Sequence, residues 1–256
     1  MTDLYVPKSE IYVPETEVVP PEDGKRIPTM VEIRDIAMWL GRILNDVNND
    51  PLSPVNIDMV VPVFRGGITP SDPVIRMLGT RNSQAMAMEF YKRNPDPNGP
   101  PEIPTEKPTI HQAPRLGRKH HLGKGVLFFD DLADKYKTAI WVKEHFPLSL
   151  FGTIYIKTEE EEALEHVDIY GLHTGDVWIK NPWEVEDERG YSPARPMESL
   201  DWAVNGRPQL EELYEQRKAL LYRPELIKRI TAKPSMGQRL GGLATGLRHW
   251  GLTPRY

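Results

Sequence analysis

Cysteine is missing from all 256 residues, which excludes disulfides, thiolate metal sites and a cysteine nucleophile and leaves the redox compartment open. Long apolar runs are missing as well. No stretch nears the ~20 residues that a membrane-spanning helix needs, and the start, MTDLYVPKSEIYVPETE, has no apolar core of the kind a secretory signal carries. Nor is there an excess of positive charge. The formal net charge of -5 argues against general nucleic-acid binding, and no specific nucleic-acid binding is expected. The expectation is a soluble, cytoplasmic protein. Charge is unevenly placed. From Arg217 to Tyr256 the bases Arg217, Lys218, Arg223, Lys228, Arg229, Lys233, Arg239, Arg248 and Arg255 face the single acid Glu225. That asymmetry points to a partner for the C-terminal segment, or to packing on an acidic surface.

What the chain has in excess is proline, 25 residues of it, and prolines mark its organisation. Pro7, Pro14, Pro20, Pro21 and Pro28 make residues 1–28 an extended arm. Thr29, with Glu32 three residues on, has the spacing of a capping box. Val31, Ile36, Trp39, Leu40, Ile43, Leu44 and Val47 then recur at helical spacing and predict a helix over about 30–48. IDMVVPVF (57–64) predicts a strand, SDPVIRMLGT (71–80) a helix with Gly79 near its end, and AMAMEFY (85–91) a strand. In NPDPNGPPEIPTEKP (94–108) prolines recur every few residues. No regular element is expected there, and 92–124 reads as one long loop excursion.

Downstream, VLFFD (126–130), FGTIYIK (151–157) and VWIKNPWE (177–184) predict strands and TAIWVKEHF (138–146) a helix. EEEEALEH (159–166) is helix or loop, and VDIYGL (167–172) a short strand or a turn. Strand and helix alternate, so the fold class is α/β with a mainly parallel central sheet flanked by helices. The domain boundaries fall at 29–195, followed by a basic, partly helical extension at 196–256. In that extension Met236, Leu240, Leu243, Leu247 and Trp250 form an apolar stripe that could dock on a partner, a membrane surface or the protein's own core.

Ligands of open α/β sheets sit beyond the carboxyl ends of the strands. Two strand ends carry loaded loops. In VVPVFRGG, two glycines admit an anion to the backbone and Arg65 adds a forked cation. In FFDDLADKYKT, adjacent carboxylates repel each other unless a cation or hydroxyl donors intervene; the bland alternative is that Asp130 and Asp131 cap the following helix. Asp134 and Thr138 stand at a helix start, where free N–H groups favour a phosphate.

The order strand–FRGG, then strand–DDLADxxxT, resembles the type I phosphoribosyltransferases, whose signature is a strand, two acids and a D-T-G-x-T turn. FGTIYIK followed by VDIYGLHTGDVWIKNPWE is similar to the 6-oxopurine branch, most of all to the bacterial xanthine–guanine phosphoribosyltransferases. In those, a lysine ending one strand and a Trp-Ile-x-x-Pro-Trp-acid segment form the purine pocket. The similarity spans roughly residues 28–187, interrupted by the excursion.

It implies a type I phosphoribosyltransferase-like fold with a small hood and extended N- and C-terminal segments. The implied activity is Mg²⁺-dependent transfer of the 5-phosphoribosyl group from phosphoribosyl pyrophosphate (PRPP) to N9 of guanine, xanthine, hypoxanthine or a modified relative, by a dimer or tetramer. By the same resemblance Arg65, Gly66 and Gly67 bind pyrophosphate. Asp130 and Asp131 face the ribose, with Asp131 also a metal contact. Asp134 is the acid/base at purine N7, and Lys135, Tyr136, Lys137 and Thr138 hold the 5′-phosphate. Lys157 donates to the 6-oxo group, Trp178 stacks on the base, the Ile179 backbone reads its 2-position, and Glu184 touches a second metal. The basic end of the excursion (Arg115, Arg118, Lys119, His120, His121, Lys124) lies where the family's mobile loop closes over PRPP.

One departure stands out. The D-T-G-x-T turn is Asp134-Lys135-Tyr136-Lys137-Thr138, so glycine is lacking at its third place. If Tyr136 keeps the glycine's backbone shape it does so at ~1–2 kcal/mol, and its ring is expected to crowd the phosphate pocket. Two readings follow: a rebuilt loop in which lysines replace lost hydrogen bonds, or an impaired enzyme that survives as a nucleotide-binding regulator or interaction protein.

Overall fold

The computed structural model describes residues 25–26, 28–96, 102–157, 160–175, 177–179, 181–182 and 202–234. Its elements are β1 (Lys25–Arg26), α1 (Met30–Asn49), β2 (Met59–Phe64), α2 (Ile68–Leu78), β3 (Met86–Arg93), β4 (Glu102–Gln112), β5 (Val126–Ala133), α3 (Lys137–His145), β6 (Leu150–Ile156), α4 (Glu160–His166), β7 (Ile169–His173) and β8 (Trp178–Ile179). A π-helical turn at Trp202–Gly206 then leads into α5 (Arg207–Glu212), α6 (Tyr214–Leu220) and α7 (Pro224–Thr231).

A six-stranded sheet in the order β4-β3-β2-β5-β6-β7 forms the centre, parallel throughout except for β4 at its edge. The α/β class and the mainly parallel sheet are those expected from the alternation. Strand periodicity divides the core into two layers. Val60, Leu127 and Phe129 face the layer holding α1 and α2, whereas Val61, Val126 and Phe128 face the one holding α3 and α4. Among the described residues no helix is long and apolar enough to cross a membrane.

Helix α1 starts where its cap requires. The Thr29 hydroxyl accepts the Glu32 N–H at 3.0 Å. The other half of the expected box is diverted, since the Glu32 carboxylate accepts from the buried Tyr155 hydroxyl at 2.8 Å. Helix α2 begins three residues before the predicted start, directly after Gly67, and ends at Gly79 in the left-handed region (φ 64°).

The excursion holds a correction. Residues 102–112, read as barred from regular structure, form β4, antiparallel to β3. Two features admit its prolines. As an edge strand it needs N–H groups on one side only, and the pairs Glu89↔Thr109 and Tyr91↔Pro104 set residues 105–108 opposite Phe90 alone, a bulge that takes up Pro108. Further along, Trp178 and Ile179 of VWIKNPWE form β8, which pairs in parallel with β1 from the N-terminal arm.

The segment 202–231 shares the core of the sheet domain. Trp202, Leu210, Leu213, Leu221, Leu226 and Ile230 lie in one apolar cluster with α1. Three of its arginines donate to backbone carbonyls. Arg217 lies over the Tyr170 ring at 4.0 Å and donates to the Gly171 carbonyl. Arg223 donates to the carbonyls of Leu164 and Leu220, and Arg229 to that of Pro147. One acid is central here. The buried Asp168 holds Lys143 at 3.0 Å and Arg229 at 2.8 Å and accepts the Phe151 N–H. Burial pushes the Lys143 ammonium below its usual range, against the pull of Asp168. The apolar stripe from Met236 to Trp250 lies outside the described residues.

Candidate active site

Successive strands run outward in opposite directions from β2 and β5: the chain passes from β2 to β3 on one side, and from β5 through β6 to β7 on the other. Such a reversal opens a crevice at the carboxyl ends of the two central strands. Both loaded loops meet there. The chain leaves β2 through a cis Phe64–Arg65 peptide into Gly66 and Gly67. A Cβ on Gly66 would stand within 3.0 Å of the Asp131 carboxyl, and one on Gly67 would lie 2.7 Å from the Val63 carbonyl oxygen. Both are closer than a side-chain carbon can come, so the Arg-Gly-Gly turn needs its glycines to lie against the acid pair. Arg65 itself is exposed at the crevice.

Strand β5 runs on to Ala133, and the acid pair sits inside it rather than after it. The helix-cap alternative is therefore excluded: the N-cap of α3 is Tyr136, with no side-chain cap bond. Each carboxylate turns onto the next backbone N–H. Asp130 Oδ1 accepts from Asp131 and Asp131 Oδ1 from Leu132, both at 3.0 Å. Asp131 Oδ2 accepts from the Asn181 side-chain amide. Burial, reinforced by the Asp131 charge, holds the Asp130 carboxyl well above the usual carboxylate range. Burial also raises Asp131, against hydrogen bonds that favour its ionised form, the one from Asn181 among them.

Asp134 and Lys157 come together across the ends of β5 and β6. The Lys157 amine lies 3.6 Å from Asp134 Oδ1, with the lysine side chain 8 % exposed and the aspartate side chain 46 %. Lys157 is thus a buried amine facing an accessible carboxylate and not a solvated strand-end lysine.

In the turn between them Tyr136 adopts φ 52°, the left-handed conformation that a glycine would take freely. Its ring does not crowd the crevice, contrary to the expectation. It is 4 % exposed in the α3–α4 core layer, 5.4 Å from the His166 ring. Lys137 leaves the turn as well, donating to the Thr105 carbonyl on β4 at 3.2 Å, while Lys135 is exposed. Thr138 lies half-buried in the first turn of α3.

Ile179 is buried in β8, and Trp178 is its other residue; the Trp178 side chain and Glu184 lie outside the described residues. The basic end of the excursion is a second correction. Lys119 and His120 pair with Asp58, and the Asp58 N–H donates to the Gly125 carbonyl, which places them at the amino ends of β2 and β5, opposite the crevice. They do not close over it.

The structure thus brings together Arg65, Gly66, Gly67, Asp130, Asp131, Asp134 and Lys157. Asn181, 2 % exposed, escaped the sequence reading. Its only signal was an uncharged polar residue inside a segment of aromatics, a proline and charges. The candidate ligands there are the carboxylate oxygens of Asp130 and Asp131, which suit a hard divalent cation such as Mg²⁺ that takes one or two carboxylates and completes its shell with substrate oxygens and water. Among the described residues no group of three or more ligating side chains exists to hold a metal without such help.

No family model matches the chain. Solved structures similar to it include a purine phosphoribosyltransferase from Pyrococcus horikoshii Ot3, at 20% identity over 63% of this chain and 95% of that one, TM-score 0.46. A hypothetical protein from Neisseria gonorrhoeae with bound ppGpp is 17% identical over 75% of this chain and 97% of that one, TM-score 0.45. The xanthine-guanine-hypoxanthine phosphoribosyltransferase of Helicobacter pylori is 15% identical over 64% of this chain and 95% of that one, TM-score 0.44.

Proposed function

We propose that this chain is a phosphoribosyltransferase that moves the 5-phosphoribosyl group of PRPP to N9 of a 6-oxopurine. The observation that carries the reading is one crevice in which the Gly66 turn lies against Asp131 while Lys157 faces Asp134 at 3.6 Å. An anion-binding turn, a pair of ribose-facing acids, a solvated acid/base and a buried amine donor are the parts this transfer needs.

In the reaction the C1′–N9 bond forms as the bond from C1′ to pyrophosphate breaks, and the purine loses a proton. Asp134, half-exposed and free to reach the base, accepts that proton from N7. Lys157 donates to the 6-oxo oxygen, Trp178 of β8 stacks on the ring, and the Ile179 backbone meets its 2-position. Arg65 and the Gly66–Gly67 amides receive the departing pyrophosphate. Asp131 would hold Mg²⁺, with Glu184 the candidate for a second contact; the metal, when bound, neutralises charge developing on the leaving group. Asp130 orients the ribose hydroxyls.

The test is nucleotide formation from PRPP with guanine, xanthine and hypoxanthine. Turnover with at least one of them is expected, falling ~10²–10⁴-fold in Asp134→Asn. No turnover with any base, or turnover indifferent to Asp134→Asn, overturns the assignment. A second reading has its own observation. With the Tyr136 ring in the core and Lys137 committed to Thr105, the turn offers a phosphate its backbone amides, the Thr138 hydroxyl and, as its cation, Lys135. This favours a nucleotide-binding regulator, for which calorimetry would give binding without turnover.

A further inference from the structure

Asn181 belongs to neither central loop, yet it reaches the centre of the crevice. It follows β8 by two residues, is 2 % exposed, and donates its side-chain amide to Asp131 Oδ2. Asp131 is thereby held from three directions. Gly66 closes on its carboxyl from the β2 turn, the Leu132 N–H holds Oδ1 at 3.0 Å from within β5, and Asn181 holds Oδ2 from the far side of the crevice. The last of these is a side-chain donor, and it comes from the segment that directly follows β8, the strand that carries Trp178. β8 is itself anchored, through Lys25↔Trp178 and Arg26↔Ile179, to a stretch of the N-terminal arm.

Resting on the phosphoribosyl reading above, we propose that Asn181 is a positioning residue that fixes the Asp131 carboxylate for the ribose and ties its placement to the base-side strand β8. The residue type fits the task. A cation at this position would neutralise Asp131 and compete with a metal for it, and a carboxylate would add a third buried negative charge to the pair. A neutral amide orients one oxygen and leaves the charge in place. With Oδ1 turned to Leu132 and Oδ2 to Asn181, the carboxylate plane is set, and each oxygen keeps a further lone pair for a ligand.

Full-length wild type, Asn181→Ala and Asn181→Gln are compared in two ways. Calorimetry with PRPP and Mg²⁺ should show binding weakened ~10–100-fold in Asn181→Ala, with part of the loss recovered in Asn181→Gln, which retains the donor. A merely structural role would lower the melting temperature and leave the affinity of the folded protein unchanged. The second measurement needs no ligand. The Asn181 side-chain amide proton resonance, assigned through Asn181→Gln, should move when Asp131→Asn removes the carboxylate acceptor. Affinity within about two-fold of wild type in Asn181→Ala, or an amide resonance indifferent to Asp131→Asn, overturns the proposal. A wild-type protein that binds no PRPP sinks the functional reading instead, and the amide resonance still decides whether Asn181 holds Asp131.

Discussion

The acid pair in β5 should be a stability defect that the site retains for function, and Asp130→Asn measures it. Asp130 is 8 % exposed, its carboxyl is raised well above the usual range by burial and by Asp131, and its Oδ1 accepts the Asp131 N–H. Asparagine in its place keeps an oxygen for that N–H, removes one of two adjacent charges, and offers Asp131 an amide donor. Relieving a buried polar group that lacks full compensation is worth about 1–3 kcal/mol, and in a domain of this size each kcal/mol moves the melting temperature by about 2–4 °C. Asp130→Asn should therefore raise the melting temperature by about 2–12 °C at neutral pH while abolishing catalysis.

The pH dependence separates this from a packing effect. A carboxyl whose folded pKa is raised holds its proton in the folded chain after the unfolded chain has lost it. Wild-type stability is thus undiminished below the unfolded value of ~3.9, falls as pH rises from there through the raised folded value, and is flat above it. Asp130→Asn should match wild type near pH ~4 and exceed it increasingly towards neutrality. Asp131→Asn should gain less, because its new amide group would face the amide of Asn181. Thermal melts across that range, with a chelator present, are the assay. An Asp130→Asn protein no more stable than wild type at neutral pH, or more stable by the same amount at every pH, refutes the reasoning.

Gly66→Ala places a methyl within 3.0 Å of the Asp131 carboxyl, so it should displace that carboxyl, destabilise the fold by about 1–3 kcal/mol and abolish PRPP binding; a variant with wild-type affinity would refute the packed turn. Asp168→Ala strips the partner from Lys143 and Arg229 and should cost about 3–5 kcal/mol, read as a large fall in melting temperature with no specific change in ligand affinity. Tyr136→Gly releases ~1–2 kcal/mol of left-handed backbone but loses a buried ring worth about 3–5 kcal/mol, so it should be net destabilising in a urea melt, and a more stable variant would contradict the burial of that ring.

What could be read from the sequence was whatever is encoded in spacing. The α1 face, the Thr29 cap and the apolar runs of β2 and β5 depend on residues a few positions apart, and each forms as expected. The pairing of the Arg-Gly-Gly turn with the acids was legible through strand order. Strand β4 was not, because the rule that prolines exclude regular structure holds for strands paired on both sides, and nothing local marks a strand as an edge with a bulge. The basic C-terminal segment misled for another reason. Charge counting looks for opposite side chains, whereas Arg217, Arg223 and Arg229 each donate to carbonyls, which every residue carries and no sequence displays.

The altered turn lies between these cases. That residue 136 would need positive φ follows from the turn's shape, and Tyr136 has it. Where the ring goes is decided by α4, through His166, and by the α3–α4 core layer, tens of residues away in sequence. Burying an aromatic side chain gains about 1.5–3 kcal/mol, comparable to the ~1–2 kcal/mol that the left-handed backbone costs. The loss of glycine is thus offset in the core rather than at the site, and the backbone of the turn can keep its path while its side chains change. Chemistry then changes at two positions only: Lys137 is drawn to β4 and Lys135 stands at the mouth of the crevice. A turn built this way would hold a phosphate by its amides, the Thr138 hydroxyl and one exposed cation, so its affinity should fall with ionic strength more steeply than that of a turn without the lysine.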